Sequence, residues 1–260
     1  MVLRWFTATL TYLWSGWGAI TSLLLLLALW QWGHSLYGEL VLPSPTATFA
    51  QMLQFYQQGK LIESLTITGQ RALIGFLLSM IVGTLLGVIA GRYITTAMMS
   101  RPIITVLVGT PPIAWLVLAM LWFGSEEATP IFTVFIACFP IIFIGALQGA
   151  KTLDGYLHDL AHVYQLPWSM RLGDVYLPHV ISYLFPAWIA ALGMSWKIVV
   201  MAELLATSDG IGAALAVSRS HLDTAASMAW ISAIIFVLLA IEYLVLEPIK
   251  RHVEAWREGS

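Results

Sequence analysis

Six stretches of about 20 mostly apolar residues, the length a helix needs to cross a bilayer, dominate this chain. They read as spans over roughly 13–33, 66–91, 103–123, 130–149, 180–206 and 226–248. Composition agrees. The 260 residues are 59% hydrophobic and 10% charged, whereas a soluble domain is nearer about a quarter charged. The mean hydropathy is +0.84. Twelve Trp and nine Tyr suit a protein with two membrane interfaces to anchor at. The expected fold class is therefore all-α, a polytopic membrane protein forming a single transmembrane domain over 1–260. The first run lacks a small-x-small cleavage site in "LALWQWG", so it reads as a retained anchor rather than a signal peptide.

Lysine and arginine placement orients the spans. With the N-terminus in the cytoplasm, eight of them lie in cytoplasmic segments: Arg4, Arg92, Arg101, Lys151, Arg171, Lys250, Arg251 and Arg257. Three lie outside or near the outer end of a span: Lys60, Arg71 and Arg219. Both termini are then cytoplasmic. The segment 34–65 is external, and its "LPSPTATFAQMLQFYQQG" predicts a proline-rich turn followed by a short helix capped at Ser44 or Thr46.

Between spans four and five lies a polar connection more patterned than a simple loop. From Gly155 to Gln165, Leu157, Leu160, Ala161 and Tyr164 form an i, i+3, i+4, i+7 stripe. Pro167 stops that helix, and "WSMRLGDVY" can form a second. The result is a helical elbow across the cytoplasmic mouth. A helix resting on the bilayer surface is the alternative, but such helices are rich in Lys and Arg, and this one has none before Arg171.

This stretch resembles the "EAA" loop of ABC importer permeases, E-A-A-x3-G-x9-I-x-L-P. Asp159, Leu160 and Ala161 fill the first three places, Gln165 the glycine place, and Val175, Leu177 and Pro178 the end. "LPSP" at 42–45, the runs 69–92 and 109–124, and "SWKIVVMAELLATSDGIGAAL" at 195–215 are similar to the taurine, sulfonate and nitrate branch of that family. The last of these looks like the branch's Trp-x6-Glu motif followed by Gly-x-Gly, here Trp196, Glu203, Gly210 and Gly212, the glycines in a periplasmic loop.

The resemblance implies a permease in the bacterial cytoplasmic membrane. A second permease copy, most simply making a homodimer, two ATPase subunits and a periplasmic or lipid-anchored binding protein would be its partners. The loop at about 153–178 would couple to the ATPases through Asp159, Leu160, Ala161, Tyr164, Gln165, Leu177 and Pro178. ATP and magnesium would sit on those partners, with no cofactor in this chain. The solutes of the branch are small and often anionic.

The residues agree with a non-catalytic role. No G-x4-G-K-[ST] phosphate loop, H-E-x-x-H or CxxC occurs. His158 and His162 are an i, i+4 pair, read as a polar helix face rather than a metal site. Ser195 lacks the following glycine of intramembrane serine proteases. The lone Cys138 excludes an internal disulfide, and the net charge of −2 argues against nucleic acid.

Two features within the spans bear on a pathway. Pro111 and Pro112 either hinge a wall of it or start a helix after a turn. Lys197 and Glu203 are costly inside a bilayer, and six positions apart they lie on different faces of one helix. Lys197 then needs a partner on another helix, another subunit, water or substrate. Glu203, sharing a face with Trp196, is either a pathway group, half of a pair across a dimer, or a cap at the external mouth. A secondary transporter working without an ATPase is the competing class; it predicts charge pairs at matching places in both halves, and the first half has no counterpart of Lys197 and Glu203.

Overall fold

The structure is a computed structural model that describes residues 2–152, 163–165 and 167–246. Asp159, Leu160 and Ala161, the histidine pair and the basic C-terminus lie outside the described residues. α1 covers Val2–Tyr37, α2 Pro45–Gln57, α3 Lys60–Arg92, α4 Ile94–Gly109, α5 Pro112–Phe123 and α6 Ala128–Lys151. A short helix Trp168–Met170 and a π-helical turn Arg171–Tyr176 lead into α7, Leu177–Ala206. α8 is Ile211–Ser220, and α9, Thr224–Ala240, ends in a second π-helical turn, Ile241–Leu246.

Among the described residues four helical runs are long and apolar enough to cross a membrane: α3, α6, Arg171–Ala206 and Thr224–Tyr243. α4 and α5 make a fifth if taken together, but they meet at 94°. The expected span over 103–123 is divided: its first half belongs to a helix that begins at Ile94, and a new helix starts at the prolines, the second of the two readings of Pro111 and Pro112. Pro112 sits in the first turn of α5, where a missing N–H costs nothing and the fixed φ favours the helix. The prolines begin a helix rather than bend one. α2 starts as expected: the Ser44 hydroxyl accepts from the Ala47 N–H at 3.1 Å, with Pro45 following it.

α3, α6 and α7 form the centre. Small residues recur every four positions on α3, at Gly75, Ser79, Gly83, Gly87 and Gly91. A Cβ on Gly75 would stand 2.7 Å from Val134, on Gly83 3.1 Å from Ile142, and on Gly91 2.7 Å from the Ala150 Cβ. The α3 and α6 backbones thus approach too closely for side chains, the small-xxx-small packing that joins helices where no hydrophobic drive operates. α6 repeats the device toward α7, with Gly145 against Ala187 and Gly149 against Val180. Ser79 donates to the carbonyls of both Gly75 and Phe135, so the one polar side chain of the stripe is satisfied. Val134, Cys138, Ile142, Ala191, Val199 and Ile211 close the core. A smaller cluster, Leu116 with Ala202 and Ala206, seats α5 on the far end of α7.

α1 and α4 stand outside this core. Leu23, Leu24, Leu25 and Leu26 are each more than half exposed, and α4 buries no residue. In water such apolar area would aggregate; in a bilayer it faces lipid or another subunit.

Candidate functional site

The most concentrated chemistry lies where α3, α7 and α8 meet. Glu203 has no exposed surface. One carboxylate oxygen accepts from Arg71 Nη1 at 3.1 Å. The other accepts from the Thr68 hydroxyl at 2.8 Å and the Gly212 N–H at 3.1 Å. Thr68 Oγ1 in turn accepts from the Ile211 N–H at 2.9 Å. The first turn of α8 therefore finds acceptors on α3 and α7, and a carboxylate stands at its positive end. Arg71, 3% exposed, reaches on to the Asp209 carbonyl at 3.0 Å and Asp209 Oδ1 at 2.7 Å. Glu127, at the start of α6 and largely exposed, completes the set at 3.5 Å. One guanidinium thus ties four segments of the bundle.

The two glycines of the Gly-x-Gly element belong to this cluster. Gly210 has φ +94, and a Cβ there would collide with the Glu203 carboxylate. On Gly212 it would meet the Val200 carbonyl and the Glu203 Cβ. The spacing from Glu203 to Gly212 is what lets α8 turn back onto α7. Sequence reading found Glu203, Gly210 and Gly212 but missed Thr68 and Arg71. Arg71 had been counted only as positive charge near a span end. The available signal was the demand of a membrane-embedded carboxylate for a cation on another helix, and Arg71 is the basic residue in span two at the matching depth.

Beside the cluster a groove of about 500 Å³ opens between α2, α3, α8 and α9. Its apolar floor includes Phe55 stacked on Trp230, centroids 4.7 Å apart. Lys60, Glu63, His221 and Asp223 line its rim. The α8–α9 corner is a Schellman closure: Asp223 N–H bonds to the Ser218 carbonyl at 3.0 Å and Leu222 N–H to the Arg219 carbonyl at 3.1 Å. Leu222 occupies the left-handed position usually given to glycine, at φ +57, costing about 1 kcal/mol, and is 84% exposed. Asp223 then caps α9 through the Ala226 N–H at 2.9 Å.

At the opposite end lies the described part of the connecting loop. Val163 and Tyr164 are strongly exposed. Gln165, at the glycine place of the motif, has φ +49, the left-handed conformation a glycine would adopt freely. Leu177 and Pro178 form the first turn of α7, so the loop enters that helix without a break.

Trp196 is buried, its edge 3.9 Å from a Cβ on Gly69, and its Nε1 has no hydrogen-bond partner among the described residues. Lys197 is exposed on the neighbouring face of α7 and lines a cavity of about 50 Å³ with Glu242. The structure does not bring Lys197 and Glu203 together. Pro111 is exposed at the α4–α5 corner and Pro112 half-buried. Among the described residues no group of three or more His, Cys, Asp and Glu is placed to hold a metal.

The family of binding-protein-dependent transport system inner membrane components matches residues 83–256. The nitrate import permease protein NrtB of Synechococcus elongatus is 28% identical over 203 residues, 74% of this chain and 73% of its own length. The taurine transport system permease protein TauC of Escherichia coli is 26% identical over 246 residues, 92% of this chain and 89% of its own.

Proposed function

Because the chain belongs to the binding-protein-dependent transport system inner membrane components, and is thus the permease subunit of an ABC importer rather than an enzyme, we propose that it passes a small anion across a two-copy pathway. ATPase and binding-protein partners come with that family. In this reading two copies of the chain line the pathway, and two ATPases, carrying ATP and magnesium, dock on the loop at about 153–178. Both termini face the cytoplasm, and the α2/α8 end faces outward, where the binding protein arrives.

The observation that carries the reading is the continuity of α7. Its first turn, Leu177 and Pro178, is the end of the coupling motif, and its last turns bear Glu203. At 1.5 Å per residue, 30 residues span about 45 Å. A displacement imposed on the loop by an ATPase is delivered along one helix to the Arg71–Glu203 cluster. Gln165 in the left-handed conformation supports the elbow geometry of the motif. The anionic solute is supported by Lys197, a cation inside a span, and by the solutes in the relatives' names: nitrate is an anion and taurine a sulfonate.

The test is reconstitution in proteoliposomes with a partner ATPase and binding protein of this family. ATP-driven uptake of labelled nitrate or taurine is expected, lost when Tyr164 is replaced by Asp. Uptake driven by an ion gradient without ATP would establish the secondary-transporter class instead.

A further inference from the structure

The groove between α2, α3, α8 and α9 is poorly suited to the transported anion itself. Its rim carries the carboxylates of Glu63, Asp209 and Asp223 against the single ammonium of Lys60. That balance, −3 + 1 = −2 with His221 neutral, repels an anion. Arg71 does not restore it, because its single charge is shared between Asp209 and the buried Glu203, which together carry two. The same charges place the groove in water rather than lipid, since clustered ionisable side chains are not left facing hydrocarbon.

A groove in water with a stacked aromatic floor and an acidic rim has the make-up of a protein-docking pocket for a cationic segment. Leu222 strengthens this. It lies between two rim residues, His221 and Asp223. It is a branched side chain in a backbone position that favours glycine, and it is 84% exposed. Within this chain it gains no burial to offset that strain, whereas an apolar knob beside an acidic pocket is what a docking partner can cover.

We propose that this groove, with Leu222 at its lip, is the seat of the external binding protein and takes a basic segment of it. The proposal rests on the reading of the chain as a permease with its α2/α8 end outward. That end is where a binding protein must arrive, and no part of the transport pathway between two copies has to pass through a groove contained in one chain.

The experiment uses the complete complex in proteoliposomes, titrated with its partner binding protein, with stimulated ATP hydrolysis as the readout. Glu63→Lys is expected to raise the half-maximal binding-protein concentration at least tenfold. Glu126→Lys, an exposed charge reversal outside the groove, should leave it within twofold. Leu222→Gly separates structure from docking: it relieves the left-handed strain, so the melting temperature rises or holds, yet the half-maximal concentration increases severalfold. Benzophenone attached at Leu222→Cys in a Cys138→Ala background should crosslink to the binding protein, and reversing the captured Lys or Arg to Glu should rescue Glu63→Lys. If the wild-type complex is stimulated but both groove variants match it, or if the crosslink captures only lipid or a second copy of this chain, the docking site is wrong while the permease reading stands. If the binding protein does not stimulate the wild-type complex at all, the permease reading fails and the docking site with it.

Discussion

At the scale of single residues, burial decides what a charge can do. Glu203 is sealed from solvent and its two oxygens receive three donors. Removing it takes from the buried guanidinium its one sealed carboxylate and leaves the Gly212 N–H in the first turn of α8 without its acceptor, while the Ile211 N–H keeps Thr68. Glu203→Ala should therefore destabilise by about 3–5 kcal/mol, read as a fall in the melting temperature in detergent. Glu203→Gln keeps an acceptor and should cost less. The pair Arg71→Met with Glu203→Gln should cost less than the sum of the singles, since neither member is then left charged and unpaired. Additive losses would mean the two act separately. Gly210→Ala should be as damaging as Glu203→Ala, because it meets the carboxylate and also needs φ +94. Lys197 differs, being exposed and without an ion pair among the described residues. Lys197→Met should lower uptake of an anionic solute several-fold while leaving ATP turnover and assembly near wild type. Unchanged uptake, with cysteine at 197 inert to a charged thiol reagent, would make the residue structural.

At the scale of elements, close approach is the controlling quantity. α3 and α6 are held by a row of absent side chains, so enlarging one is felt along the whole contact. Gly83→Leu should cost about 1–3 kcal/mol by overpacking against Ile142, whereas the same change at Gly18, which has nothing within 4 Å, should cost little. At Gln165, in the connecting loop, conformation governs instead. Gln165→Gly should preserve ATPase coupling and stabilise the turn slightly, because glycine adopts φ +49 without strain. Gln165→Val, β-branched in a left-handed position, should weaken ATPase retention in a pull-down. Equal retention by the two variants would show that the turn does not set the coupling surface.

At the scale of the whole molecule, the chain is one layer of an assembly. The exposed leucines of α1 and the unburied α4 need lipid or another copy to cover them. The purified chain in lipid should hydrolyse no ATP; turnover without another protein would contradict the permease assignment.

Much of this was legible in the residues. Apolar length marked the helices that cross the membrane, since a bilayer requires a continuous run and internal hydrogen bonding whatever the neighbours are. Motif spacing singled out Glu203, Gly210 and Gly212, which meet in one cluster, because a helix that turns back onto its neighbour demands its residues at fixed offsets. The break of span three was half legible: two adjacent prolines announce an interruption, but whether they kink a helix or begin one depends on the direction the next helix takes, and that is set by Leu116 packing on Ala202 and Ala206. The period-four stripe on α3 was present in the sequence, yet small residues name no partner, and only the apposition of α6 shows what they admit. Arg71 and Glu203 lie 132 residues apart. Local pattern has no reach over that distance. Their pairing, the groove beside it and the exposure of Leu222 arise from how α3, α7, α8 and α9 are brought together, and a one-dimensional chain specifies such long-range contacts only through the packing of the folded whole.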